Sequence, residues 1–280
     1  MMKENALKIS PLGPVLGAEL SGADLSKPLD GGQIGAIRQA FLDYGVIFFR
    51  DQDMTPEQQM RFAEYFGEPA AYPFVNGLSD FPLITPILKL EDETVNFGGI
   101  WHSDTAYLEE PPMATILHAK ELPESGGDTV FANMYAAYDA LSDGMKGMLA
   151  PLRALNSAGN KRVSDTRQDR IRDSGKDAAN IQTDAIHPVI RVHPETGKKA
   201  LYVNIAHTVC FEGMSPEESA PILRYLFEHQ KREEFSCRFR WSDGAVAFWD
   251  NRCAQHYPVN DYHGQRRLLH RITLKGDTPR

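Results

Sequence analysis

Short β-forming runs, each closed by turn residues, recur along almost the whole chain and limit its architecture more than any other feature. MATILHAKEL and TVFANM are separated by PESGGD, HPVIRVH and KALYVN by PETG, and FSCRFRW and AVAFWD by SDG, before RRLLHRITL closes the series. Helical stretches are few. QIGAIRQAFLDY, residues 33–44, sets Ile34, Ile37 and Phe41 on one face and leads into the strand VIFFR. TPEQQMRFAEYFG starts from Thr55 as cap and Pro56 at the first helical position, with Gly67 at its end, and MYAAYDALSDGMKGML reads as helical. Residues 215–231 open on Ser215, Pro216 and Glu218, a capping box, ahead of the apolar stripe Ile222, Leu223, Leu226 and Phe227. Many strands, few helices and no evident parallel crossover predict a mainly β fold, a sandwich or jelly roll with helices flanking it.

No low-complexity linker or internal repeat divides the 280 residues, so a single domain, 1–280, is expected. The charged stretch AGNKRVSDTRQDRIRDSGKDAANIQT, residues 158–183, reads either as a solvated excursion or as a mobile lid over a site. The net charge of -8 offers no basic stripe, which argues against nucleic acid and anionic lipid as partners. The three cysteines, Cys210, Cys237 and Cys253, lack a CxxC spacing, so neither a disulfide framework nor a thiolate zinc site is expected. The start, MMKENALKISPLGP, holds no signal core, and no run of about 18 apolar residues occurs anywhere. A cytoplasmic protein with no membrane partner is expected; a homo-oligomer is left open.

The stretch GGIWHSDTAY, residues 98–107, carries the first chemical signal, His102 two positions before Asp104. Residues i and i+2 of a strand share a face, so the pair could grip one ion from one side, although a bare HxD is more often structural. A second polar cluster, WDNRCAQHYPVNDYHGQRRLLHR, adds His256 just beyond an apolar strand and Arg267 and Arg271 within the next. Two histidines and one carboxylate with three open positions are the ligand set of non-haem Fe(II) oxygenases. Arg267 and Arg271 share one strand face about 13 Å apart at the usual rise. An inward guanidinium is costly unless it meets an anion, so two of them suggest two anionic ligands; pairing with Asp250 or Asp261, or exposure to solvent, is the alternative. Trp101 and Trp249 are expected to pack beside the metal strands, and His187 and His193 to be surface or hydrogen-bonded core residues. His263 and His270 lie out of register with the motif.

WHSD, the GGDT of residues 126–129, and WDNRCAQHY followed by QRRLLHR together resemble the taurine dioxygenase family of Fe(II)- and 2-oxoglutarate-dependent enzymes. The likeness runs through nearly the whole chain, and Arg267 and Arg271 stand 11 and 15 residues beyond His256, as in the family's carboxy-terminal pattern. The resemblance implies a double-stranded β-helix, or jelly roll, with His102, Asp104 and His256 as iron ligands and as the catalytic centre. It implies that Thr129 and Arg267 hold the distal carboxylate of the co-substrate 2-oxoglutarate, and that Arg271 takes the negative group of a small organic sulfonate or carboxylate. Dioxygen is then consumed, the substrate hydroxylated, and succinate and carbon dioxide released. Asp104 argues against halogenation, since halogenating relatives carry a small residue there. The substrate pocket departs from the taurine enzymes. Tyr72 stands where they place a histidine, Gly98 where they place an asparagine, and His207 near a position that is aromatic in them. A non-catalytic metal-binding jelly roll that senses or stores a small ligand is the alternative, against which Thr129 and Arg267 speak, because a binding module needs no co-substrate site.

Overall fold

The structure is a computed structural model that describes residues 7–160 and 184–280. Of the 158–183 stretch expected to form a lid, all but the first three positions lie outside the described residues. In chain order the strands are β1 (Lys8–Pro11), β2 (Ala18–Ser21), β3 (Val46–Phe49), β4 (Pro69–Ala70), β5 (Thr85–Lys89), β6 (Ala114–Glu121), β7 (Thr129–Asn133) and β8 (Arg153–Ser157). There follow β9 (Asp184–Pro188), β10 (Ile190–Val192), β11 (Lys199–Leu201), β12 (Thr208–Phe211), β13 (Ser236–Phe239), β14 (Val246–Asp250), β15 (Ala254–Pro258) and β16 (Arg267–Leu274). The helices are α1 (Gly31–Tyr44), α2 (Pro56–Glu64), α3 (Met134–Asp139), α4 (Asp143–Leu149) and α5 (Pro216–Gln230).

Local chemistry sets the helix ends. Asp30 with Gln33, Thr55 with Gln58 and Ser215 with Glu218 each form a capping box, satisfying backbone N–H groups that the first turn leaves without partners. The stretch MYAAYDALSDGMKGML is helical, as read, and is divided between α3 and α4. Ser142 accepts a hydrogen bond from the Met145 N–H and starts α4 afresh, because a serine with extended backbone caps a new helix better than it continues an old one.

The major sheet has the order β1-β2-β3-β14-β6-β16-β4, with β5 also paired to β16. All its pairings are antiparallel except β2 with β3. Across from it lies the smaller sheet β13-β7-β15. Alternation along the strands separates the layers. On β6, Leu117 and Ala119 face the interior cluster that includes Phe48, Phe131, Phe239, Trp249 and Leu269, while Ala114 and Ile116 face the helical layer of α1 and α2. Phe48 stacks on Phe239 at 3.9 Å across the sandwich, and Phe41 of α1 stacks on Phe248 at 4.3 Å on the outer side. Buried apolar surface on both faces explains why β14, VAFWD, is buried at every position. A third cluster joins α3 and α5 to the small sheet through Met134, Ala137, Leu223, Leu226 and Phe235. The PETG signal is borne out by β10 and β11, paired with Ile190 opposite Leu201. The result is a jelly roll with helices on its flanks, as the strand pattern predicts. No helix among the described residues is long and apolar enough to cross a membrane.

Candidate active site

A cavity open to solvent lies between the two sheets, its interior and mouth together amounting to about 810 Å³. Its walls carry Tyr72, Gly98, His102, Asp104, Thr129, His207, His256, Arg267 and Arg271, so every site residue expected from the sequence converges on one space. The convergence depends on long-range pairing. His256 sits on β15, and its backbone exchanges hydrogen bonds with that of His102, N–H to O=C, at 3.0 and 2.8 Å. That single bridge brings two residues 154 positions apart to a ring separation of 4.1 Å. One expectation is corrected here. His102 and Asp104 do not lie on a regular strand: beyond the bridge the chain turns, and Thr105 adopts a left-handed φ of 43°. A turn, not pleat alternation, aims Asp104 at His102.

The three side chains suit a divalent cation. Their candidate ligand atoms all lie within 4.8 Å of one another, and all three residues are buried. The Ile100 carbonyl accepts a hydrogen bond from His102 Nδ1 at 2.7 Å, which leaves the Nε2 lone pair facing Asp104 Oδ1 at 3.6 Å. Two electron-rich atoms facing each other in a buried site call for a cation between them. Asp104 Oδ2 is already engaged: it accepts from the Thr115 hydroxyl at 2.6 Å, and Thr115 Oγ1 accepts in turn from Asn251 Nδ2 at 2.9 Å. Burial works against the Asp104 charge, but His102, His256 and Arg271 outweigh it and hold the carboxyl well below its usual range. Burial, with His102 nearby, pushes His256 down to about 3, so its ring is available as a neutral ligand near neutral pH. Trp249 packs 4.7 Å from the His256 ring and donates to Asn251 Oδ1 at 2.9 Å; Trp101 stacks on Tyr257.

β16 supplies two cationic ends. Its burial alternates, with Arg267, Leu269 and Arg271 buried and the residues between them less so, which puts both guanidinium groups on the cavity face. Neither pairs with Asp250 or Asp261. Asp250 is saturated by Arg252 and by His193, which hold it at about 2 against the opposing effect of burial, and Asp261 accepts from the Gly127 N–H. This also accounts for the buried group His193, Asp250 and Cys253: it is an ion-pair network whose carboxylate has no oxygen left for a metal. His187 is likewise a hydrogen-bonded core histidine, 2.9 Å from the Leu108 carbonyl.

Arg267 Nε and Nη2 have no hydrogen-bond partner among the described residues, and neither have Arg271 Nε and Nη2. Beside Arg267, the Thr129 hydroxyl accepts from Trp241 Nε1 at 3.0 Å, leaving its own proton to donate into the cavity. Gly127, with φ of 69°, lets Arg267 pass: a Cβ there would stand 3.2 Å from Arg267 Nε. Arg271 lies over the Tyr72 ring at 4.2 Å, and its Nη1 is 3.9 Å from Asp104 Oδ1. A Cβ at Gly98, with φ of 68°, would stand 3.2 Å from the His102 ring. His207 packs edge-on against Tyr107 at 4.9 Å.

Thr115, Asn251, Trp241 and Lys89 complete the site and were not singled out from the sequence. Asn251 lies within the recognised WDNRCAQHY motif, and Lys89 stands out as an ammonium at the inward end of the strand TPILK; Thr115 and Trp241 carry no such signal.

Comparison with known proteins gives a consistent result. The profile described as "Taurine catabolism dioxygenase TauD, TfdA family" matches residues 8–273. An alpha-ketoglutarate-dependent sulfate ester dioxygenase of Pseudomonas putida is 36% identical, covering 98% of this chain and 91% of its own. The crystal structure of a taurine dioxygenase from Burkholderia xenovorans superposes with a TM-score of 0.82 at 34% identity, covering 98% of this chain and 91% of that one. The structure of AAD-2 in complex with Mn(II) and N-oxalylglycine does so with a TM-score of 0.79 at 30% identity, covering 98% and 99%.

Proposed function

The chain belongs to the taurine catabolism dioxygenase TauD, TfdA family and is an Fe(II)- and 2-oxoglutarate-dependent dioxygenase; from that premise we propose that it hydroxylates a small organic sulfonate, sulfate ester or carboxylate whose anionic group is held by Arg271. The observation that carries the substrate class is Arg271 itself, a buried guanidinium on the cavity wall with two nitrogens lacking partners among the described residues. A cation so placed is stable only with an anion beside it, and the Asp104 oxygen at 3.9 Å is too distant for a hydrogen bond.

In this reading His102, Asp104 and His256 hold the iron. When bound, iron and 2-oxoglutarate supply oxidation of a C–H bond by dioxygen, coupled to decarboxylation, with one oxygen atom entering the alcohol and the other succinate. The chain does the rest. Arg267 and Thr129 take the distal carboxylate of 2-oxoglutarate with charge-assisted bonds. Tyr72, its ring centroid 4.2 Å from the Arg271 guanidinium carbon, limits the directions in which the guanidinium can point. Apolar walls formed by Phe97, Tyr107, Leu117 and Leu269 exclude water from the reacting carbon. Hydroxylation at a carbon bearing sulfate or sulfonate gives an unstable product that collapses to a carbonyl compound and sulfate or sulfite. The Pseudomonas putida relative, named for sulfate esters, supports this class.

Gly98 tells against taurine as the preferred substrate. The asparagine that the taurine enzymes carry there would need a Cβ pressed against the His102 ring and a left-handed backbone. The site reads as suited to an anion with a larger, apolar organic part. The test is a panel of alkyl sulfates, sulfonates and aryloxy carboxylates scored by substrate-dependent succinate release. Efficient turnover of taurine over the others would overturn the pocket reading, and no anion-dependent succinate would overturn the substrate class.

The 280 residues are read as one dioxygenase domain, which the match over residues 8–273 supports. A reducing cytoplasm is supported by three free thiols, and a role without nucleic acid by the charge of -8. The sensor or storage alternative loses ground because Arg267 and Thr129 equip the cavity for a co-substrate that such a module has no use for.

A further inference from the structure

Lys89 ends β5 and is 3% exposed, yet its Nζ has no hydrogen-bond partner among the described residues. Its place in the sheet makes this more costly. In the antiparallel pairing of β5 with β16, Lys89 is directly opposite Arg267, Ile87 opposite Leu269 and Thr85 opposite Arg271. Directly opposed residues project to the same face, so two cations stand side by side on the cavity wall, each with nitrogens lacking partners. Both approach one ring: Nζ of Lys89 is 4.2 Å from the Tyr262 centroid and the Arg267 guanidinium carbon 5.8 Å. Tyr262 is itself held, donating from its hydroxyl to Asn96 Oδ1 at 2.7 Å, so it cannot serve as an anionic partner for either. Like charges opposed across a ladder destabilise the sheet, and burial enlarges the effect unless an anion lies between them.

We propose that Lys89 is a second cation for the distal carboxylate of 2-oxoglutarate, so that Lys89 and Arg267 together make the co-substrate end of the cavity select 2-oxo diacids over 2-oxo monoacids. This rests on the assignment of Arg267 to that carboxylate. One carboxylate has two oxygens and about four acceptor positions, enough for a guanidinium, a Thr129 hydroxyl and an ammonium at once. Arg271, opposite the neutral Thr85, has no second cation in that register and is left for the substrate.

The experiment uses the Mn(II)-loaded full chain, with binding read by calorimetry and by intrinsic tryptophan fluorescence, to which Trp241 beside Thr129 contributes. The ligands are 2-oxoglutarate, N-oxalylglycine and 2-oxopentanoate, which has the same chain length but a methyl group in place of the distal carboxylate. The parent is compared with Lys89→Met, Lys89→Arg and Arg267→Met. Lys89→Met should bind 2-oxoglutarate and N-oxalylglycine about tenfold or more weakly, bind 2-oxopentanoate as the parent does, and melt no lower without ligands. Lys89→Arg should recover much of the diacid preference. If Lys89→Met binds both diacids within about twofold of the parent while Arg267→Met is impaired, the proposal fails and the Arg267 assignment stands; if both variants bind normally, the Arg267 assignment itself fails. Equal weakening for all three ligands with a lower melting temperature would show that Lys89 only supports the fold, and would also overturn the proposal.

Discussion

Replacing Thr115 with valine tests whether the Asp104 carboxylate is oriented by its neighbours or merely surrounded by them. Thr115 is fully buried on the inward face of β6, and valine matches its shape while deleting the hydroxyl. Two contacts are lost, the 2.6 Å bond donated to Asp104 Oδ2 and the 2.9 Å bond accepted from Asn251 Nδ2. A bond to a charged group contributes about 1.5 to 3 kcal/mol, and the amide left without a partner costs about 1 to 3 kcal/mol more. The metal-free protein should therefore lose roughly 3 kcal/mol of stability, reduced to the extent that Asn251 finds another acceptor. Metal affinity should fall separately, by about 10- to 100-fold, because the hydroxyl occupies one carboxylate oxygen and so leaves the other, Oδ1, toward His102. The assay pairs urea unfolding of the metal-free protein with anaerobic Mn(II) and Fe(II) titration, and Thr115→Ser, which keeps the hydroxyl, should restore affinity. A valine variant that loses stability as expected but binds metal within about twofold of the parent would refute the reasoning, since the hydroxyl would then serve packing alone.

Asp104→Ala and His256→Ala should each weaken metal binding by at least tenfold and abolish substrate-coupled succinate formation; calorimetry and turnover check this, and full activity in either would remove that residue from the ligand set. Arg271→Ala should weaken the preferred organic anion by about 2 to 5 kcal/mol while the 2-oxoglutarate dependence moves little, as read from the two KM values. Acid should destabilise the metal-free protein in two stages. Burial, opposed by its bond to the Gln52 carbonyl, lowers His118 from 6.5 to about 4, so the unfolded chain takes the proton first and roughly 3 kcal/mol is lost as pH falls from 6.5 to 4. Asp250, held at about 2 against burial by Arg252 and His193, adds a loss of about 2 kcal/mol as pH falls from about 3.8 to 2. Urea unfolding against pH checks both, and His118→Gln should remove roughly 3 kcal/mol of the upper stage, leaving the part that His256, itself pushed down to about 3, contributes over the same range.

How much of this was legible in the chain depends on the range of the interaction that carries it. The capping boxes at Asp30, Thr55 and Ser215 act over three residues, and two of them, at Thr55 and Ser215, can be read directly as spacings. The shared face of Arg267 and Arg271 follows from a period of two within one strand, and the burial of β16 agrees with it. Local reasoning failed where local preference was divided. Ser142 could stand in a helix or cap one, and its bond from the Met145 N–H makes it a cap; HSD could be pleated or turned, and there a long-range pairing decided. In HSD the His102–His256 bridge allows one paired position and then a turn at Thr105.

By itself the sequence determined most element types, the residues proposed to hold iron and two anions, and through its motifs the family. Only the tertiary structure decided who faces whom. Lys89 meets Arg267 because β5 takes one register on β16, and Thr115 meets Asp104 and Asn251 because β6, the 98–107 segment and the end of β14 close on one interior. Those partners are separated by up to 178 positions, and no local propensity encodes a register between segments so far apart. It is chosen by the burial of whole faces, since a slip of one residue would turn every inward side chain to the opposite side of the sheet.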